Sequence, residues 1–111
     1  MDYSMNEVIV FKPVFRKVEK YKIQEQFNQL IDELKKDAWH GKKLPRKKWA
    51  INIYKKHKKL LDVTGNLWKD EIIHGHPGFR LYYTIDSKHK IKVVVLEIDP
   101  HSKTDRYRLG V

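Results

Sequence analysis

The sequence predicts an α+β fold: an N-terminal strand and two or more helices packed on one face of a small, largely antiparallel, twisted sheet. Three observations predict it. A short β-rich run opens the chain, helical periodicity follows, and three strand-like runs joined by short turns then close it. With 111 residues, 41% of them hydrophobic, the chain is long enough for one modest core. It reads as a single domain, 1–111.

The elements follow in order. "NEVIVFK", Asn6 to Lys12, is a short strand stopped by Pro13. "PVFRKVEKY" is a first helix, since a proline in the first turn gives up no hydrogen bond. In "KIQEQFNQLIDELKKD", Ile23, Phe27, Leu30, Ile31 and Leu34 recur at the spacing of one buried helical stripe. A lysine-rich helical segment then spans 41–62, with Pro45 near its start. Trp49, Ile53, His57, Leu60 and Leu61 share one face of it. "VTGN" is a turn, "LWKDEIIHG" a strand, and "GHPG" a loop. In "FRLYYTID", Phe79, Leu81, Tyr83 and Ile85 alternate with Arg80, Tyr82 and Thr84. If helices cover one face only, the second set lies on the open face. "IKVVVLEID" is apolar on both sides, as suits a central strand.

Charge narrows the function classes. Twenty-four Lys and Arg against 14 Asp and Glu give a net charge of +10, and the pI is about 9.7. A domain this basic calls for a polyanionic or acidic partner, with nucleic acid first. The cations concentrate in the middle, where Lys42, Lys43, Arg46, Lys47, Lys48, Lys55, Lys56, Lys58 and Lys59 precede the single acid Asp62. Of these, Lys42, Lys43, Arg46, Lys47, Lys48, Lys55 and Lys58 are the candidate RNA-binding residues; a solvated face is the plain alternative. Trp39, Trp49 and Trp68 can hardly all be fully buried in a core this size, so at least one is expected at an interface. The absence of cysteine excludes disulfides and zinc-thiolate sites. No apolar run approaches the roughly 18 residues of a membrane span, and the acidic start does not read as a signal peptide. A cytoplasmic location and no membrane partner are expected.

Candidate chemistry lies at the end of the chain. Arg80 stands among aromatic residues in mid-strand, where a guanidinium can bond two oxygens of one phosphate. His101 follows the last strand and titrates near neutral pH when unperturbed. Lys103, Arg106 and Tyr107 follow it closely. A proton-transfer group with cations for phosphorane charge is what RNA cleavage through the substrate's own 2′-hydroxyl requires. That chemistry needs neither metal nor cofactor, and no clustered carboxylates are evident to hold Mg²⁺.

"GNLWKDEI…HPGFRLYYTID" followed by "KIKVVVLEIDPHSKTDRYRLG" resembles the RelE/ParE superfamily of bacterial and archaeal toxins. The resemblance covers roughly Gly65 to Gly110, and the first helices loosely. Arg80 matches the family's strand arginine, Tyr82 and Tyr83 its aromatic position, and His101 with Asp105–Arg106 its tail. Thr104 stands where the tail pattern has tyrosine, and Tyr107 comes six residues after His101. The resemblance implies a RelE-like fold and a metal-independent endoribonuclease, an mRNA interferase that acts at the ribosome. It also implies a cognate acidic antitoxin as partner. Arg80, His101, Lys103, Arg106 and Tyr107 would form the catalytic set. ParE-type members instead inhibit DNA gyrase, and a non-catalytic RNA- or ribosome-binding module is the third reading.

Overall fold

The computed structural model describes residues 5–73 and 78–104. Strand β1 (Glu7–Val10) leads into helices α1 (Lys12–Tyr21) and α2 (Gln24–Lys36). A two-residue strand β2 (Lys42–Lys43), a 3-10 turn (Arg46–Lys48) and helices α3 (Ile51–Lys56) and α4 (Lys58–Thr64) come next. Strands β3 (Trp68–Ile72), β4 (Phe79–Asp86) and β5 (Lys92–Pro100) and the short helix α5 (His101–Thr104) complete the order. The five strands form one sheet in the order β1-β5-β4-β3-β2. Only β1 runs parallel to its neighbour; the other pairs are antiparallel. The α+β expectation therefore holds.

Local chemistry explains the element ends. Pro13 lies in the first turn of α1, and Lys22 closes that helix in a left-handed conformation at φ 56°. There the Ile23 N–H donates to the Val18 carbonyl at 3.2 Å, which satisfies an otherwise open helix end. The lysine-rich segment is not one helix. It breaks at His57, which ends α3 and starts α4, so that Ile53 and Leu61 both reach the sheet and are buried.

The sheet carries helices on both faces, one more layer than the sequence pattern suggested. On the first face, α1 and α2 bury Val14, Val18, Phe27, Leu30 and Leu34 against Leu81, Tyr83, Ile85, Val93, Val95 and Ile98. On the second, Trp49, Ile53 and Leu61 pack on Leu67, Tyr82 and Leu96. Tyr82 and Thr84, expected on an open face, are thus covered. Thr84 is buried but satisfied, since its hydroxyl donates to the Asn66 carbonyl at 2.7 Å and lies 2.6 Å from the Thr64 hydroxyl.

The parity of β5 decides which groups face which way. Tyr82 pairs with Glu97 but Tyr83 pairs with Val95, so Leu96 is an extra residue, a β-bulge. Without it, strict alternation from Val93 and Val95 would send Glu97 into the α1–α2 core. With it, Ile98 fills that core, and Glu97 and Asp99 stand beside Tyr82 and Arg80 on the second face.

Two buried acids then need partners. Glu97 is 7% exposed and Asp99 0%. Because β1 is short, α1 runs alongside the last half of β5, and Lys17 reaches Glu97 at 2.6 Å and Asp99 at 2.8 Å. The Tyr21 hydroxyl donates to Asp99 at 2.8 Å. Lys56 lies 3.5 Å from Glu97 and Lys103 3.5 Å from Asp99. Burial alone would lower the Lys17 pKa, but the bonds to Asp99 and Glu97 outweigh it and hold the value above 10.5. Lys17→Met is expected to cost about 3 kcal/mol in urea denaturation, the low end for breaking a buried pair, because the other partners remain. Adding Glu97→Gln and Asp99→Asn should recover part of the loss.

Two histidines give the fold opposing pH responses. Burial first, and then Lys56, lowers the His57 pKa, with Glu97 opposing; its ring meets Phe11 edge-on at 4.8 Å. A depressed folded value means that stability present above the unfolded value of 6.5 is lost as pH falls below it. His40 shifts the other way: its 2.6 Å bond to Asp70 raises its pKa. Its contribution is complete below 6.5 and is lost as pH rises through the raised value. In a His40→Gln background, melting temperature should fall from pH 7.5 to 5.5, and adding His57→Phe should flatten that slope.

Candidate functional site

The α3–α4 layer covers only part of the second face. The part left partly open is the end of the sheet where β3 and β5 finish and β4 begins, and it holds most of the chemistry. Cross-strand pairing sets Glu71 opposite Arg80, and Arg80 opposite Asp99. His101 follows Pro100 directly, and its N–H donates to the Gly78 carbonyl at 3.1 Å, which fixes where the strand gives way to α5.

Three side chains converge there. Glu71 Oε1 lies 3.8 Å from Arg80 Nε and 3.8 Å from His101 Nε2. Both separations are too long for hydrogen bonds; the one to Arg80 is an ion pair, and the one to His101 becomes one only when the imidazole is protonated. His101 Nε2 is buried and has no hydrogen-bond partner among the described residues. Arg80 is steadied from the far side, where its Nη1 donates to the Thr104 hydroxyl at 3.1 Å. That hydroxyl in turn donates to the His101 carbonyl at 3.2 Å, so one buried threonine ties the arginine to the turn that carries the histidine.

Lys69 joins them from β3. It pairs with Tyr82 and with Lys42 across its two neighbouring strands, so all three share the second face. Burial lowers the Lys69 pKa below 10.5; Arg80, Lys42 and Lys48 lower it further, and Glu71 opposes. Lys42 lies beside Lys69 through the β2–β3 pairing, and Lys48 follows in the 3-10 turn just after β2. A carboxylate, an imidazole, a guanidinium and a partly desolvated amine can exchange protons and offset developing negative charge around one phosphate.

The expected site residues thus separate. Arg80 and His101 come together. Lys103 pairs with Asp99 at 3.5 Å. Arg106 and Tyr107 lie outside the described residues. Lys42 and Lys48 border the site, whereas Lys43 pairs with Trp68 and so belongs to the opposite face. Arg46, Lys47, Lys55 and Lys58 line a separate pocket of about 460 Å³ on the outer side of α3. Of the tryptophans, Trp39 is half exposed, Trp49 is buried, and Trp68 stacks on Tyr83 at 6.1 Å. Glu71 and Lys69 were missed. Alternation in "LWKDEI" sets them on the face opposite Trp68 and Ile72, which was the available signal.

Compared with protein-family models, with curated proteins and with solved structures, the chain matches none. Among the described residues, no helix is long and apolar enough to cross a membrane.

The depressed Lys69 pKa has a direct readout. Followed by NMR at its ε-carbon, Lys69 should titrate below the solvated lysines of the chain. Arg80→Ala, by removing the cation that depresses it most, should move it back up. An unchanged midpoint in that variant would mean the two groups are not neighbours.

Proposed function

We propose that this chain is a RelE-type toxin, a metal-independent endoribonuclease that cuts mRNA at the ribosome and so stops translation. One observation carries the reading: the Glu71 carboxylate sits between Arg80 and His101, 3.8 Å from each. The substrate supplies the nucleophile. Glu71 accepts the 2′-hydroxyl proton as the 2′-oxygen bonds to phosphorus. The P–O5′ bond breaks, and protonated His101 gives its proton to the leaving 5′-oxygen. The products are a 2′,3′-cyclic phosphate and a 5′-hydroxyl. Arg80 and Lys69 offset the charge that builds on the phosphorane oxygens. Lys103 stabilises the turn through Asp99, and Arg106 and Tyr107 keep the orienting role that the resemblance implies.

The charge of the chain supports the rest of the reading. Lys42 and Lys48 beside the site supply electrostatic attraction for the message and for ribosomal RNA, which should weaken steeply with salt. A net charge of +10 favours an acidic antitoxin, partly disordered when free, as the inhibitory partner. The cytoplasm is where such a substrate and partner meet.

The test is a translation extract programmed with a reporter mRNA, with new 5′ ends mapped. Wild type should cut at defined codons and leave 5′-hydroxyl ends. Glu71→Gln, Arg80→Ala and His101→Ala should each slow cleavage by about 10²-fold or more. Cleavage undiminished in all three variants, or an intact message with wild type, would sink the proposal. An intact message together with lost gyrase supercoiling would put the ParE-type reading in its place.

A further inference from the structure

A second cluster of chemistry lies outside the Glu71–Arg80–His101 group, on the outer side of α3. Arg46, at the start of the 3-10 turn, lays its guanidinium over two rings, 4.3 Å from the Trp49 centroid and 5.0 Å from that of Tyr54. Asp62 holds it from the side: Tyr54 donates to Asp62 Oδ1 at 2.7 Å, and Arg46 Nη2 lies 3.9 Å from the same oxygen. Trp49 is itself locked by a 3.1 Å bond from its indole nitrogen to the Leu44 carbonyl. The arginine is therefore oriented on its inner face, yet its side chain remains 62% exposed.

Resting on the ribonuclease reading, we propose that this pocket is a base-stacking subsite for single-stranded RNA, with Arg46 as the platform. Guanidinium planes stack on unpaired bases, and holding the plane in advance removes much of the ordering cost. Asp62 argues for a base at this spot over a phosphate, because it offsets the Arg46 charge and repels an anion. The phosphates have their own partners on the rim, in Lys47, Lys55 and Lys58. Ile51, 40% exposed on the same pocket, supplies an apolar wall for the edge of the base. A duplex hides its base faces, so the pocket selects a single strand.

The subsite is continuous with the proposed reaction site. Arg46, Lys47 and Lys48 are consecutive on the 3-10 turn, which follows β2 directly, and β2 sets Lys42 opposite Lys69. A strand leaving the scissile phosphate past Lys48 comes next to Lys47 and Arg46. The pocket thus holds a nucleotide displaced from the cleaved bond and adds a preference for bases that stack well.

The test is fluorescence anisotropy with a labelled 2′-O-methyl oligoadenylate, which cannot be cleaved, and with an abasic strand of the same length. Arg46→Ala should weaken oligoadenylate binding about ten-fold, the scale of one stacked base, and leave the abasic strand unaffected. Arg46→Lys keeps the charge without the plane and should weaken it as much as alanine does; thermal melting confirms that both variants fold. Lys55→Ala with Lys58→Ala should instead reduce the salt dependence for both strands. Full binding by Arg46→Lys, equal losses on the two strands, or Arg46-dependent binding of polyglutamate in place of RNA would overturn the proposal. Normal cleavage with no Arg46 effect removes the subsite and leaves the ribonuclease. Arg46-dependent stacking on RNA that is never cut supports the subsite and removes the ribonuclease.

Discussion

Two carboxylates on one central strand, and one lysine that answers both, constrain the rest of this molecule. Asp99 has no exposure and Glu97 almost none, and an unpaired charge at such depth costs several kcal/mol, roughly the scale on which whole domains are stable. Lys17 at 2.6 and 2.8 Å offsets that cost, and it can do so only if α1 lies beside the end of β5. A four-residue β1 leaves that edge uncovered, so the helix takes the place of a strand. The arrangement also positions the site. Asp99 stands opposite Arg80 and one residue before Pro100, so the group that pins α1 to the sheet also fixes the strand end that carries His101.

The bulge at Leu96 makes this geometry available. It reverses the parity of β5 and brings both acids to the face that α3 and α4 cover only in part. The two layers therefore do different work. The α1–α2 face supplies most of the apolar core, with the Asp70–His40 pair and Lys43 toward its β2–β3 edge. The second face is apolar under Trp49, Ile53 and Leu61 and polar where those helices stop. Tyr82 lies at the boundary, with Leu96 and Leu67 around it and Lys69 and Glu97 opposite it on the neighbouring strands. Partial burial of this kind desolvates Lys69 without sealing the site.

Much of the architecture was legible because periodicity carries it. The stripe from Ile23 to Leu34, the alternation in "FRLYYTID" and the two-sided β5 each follow from which residues repel water. The second layer was not legible, since a stripe of Trp49, Ile53 and Leu61 tells that a segment docks and not on which face. Nor was the break at His57, because nothing in "YKKHKKLL" stops a helix by propensity alone. In the site, Arg80 and His101 stood out as residue types out of place. Glu71 did not, because a glutamate in a lysine-rich chain looks like charge balance until the strand pairing sets it opposite the arginine.

Why the proposed reaction draws on Glu71 follows from what the neighbouring acids are doing. Glu97 and Asp99 are buried and held by bonds of 2.6 to 2.8 Å, so each must surrender strong partners to move or accept a proton. Asp70 is bound to His40 at 2.6 Å, and it alternates with Glu71 along β3 and so lies on the opposite face. Glu71 is nearly half exposed and meets Arg80 and His101 only at 3.8 Å. It can rotate, accept a proton and release it without dismantling the fold. The cations around it follow the same division: Lys17 is committed to the buried acids, while Lys69 is surrounded by like charges that favour its losing a proton or gaining an anion. Short, buried pairs hold this molecule together, and the longer, exposed contacts beside them are the ones left to react.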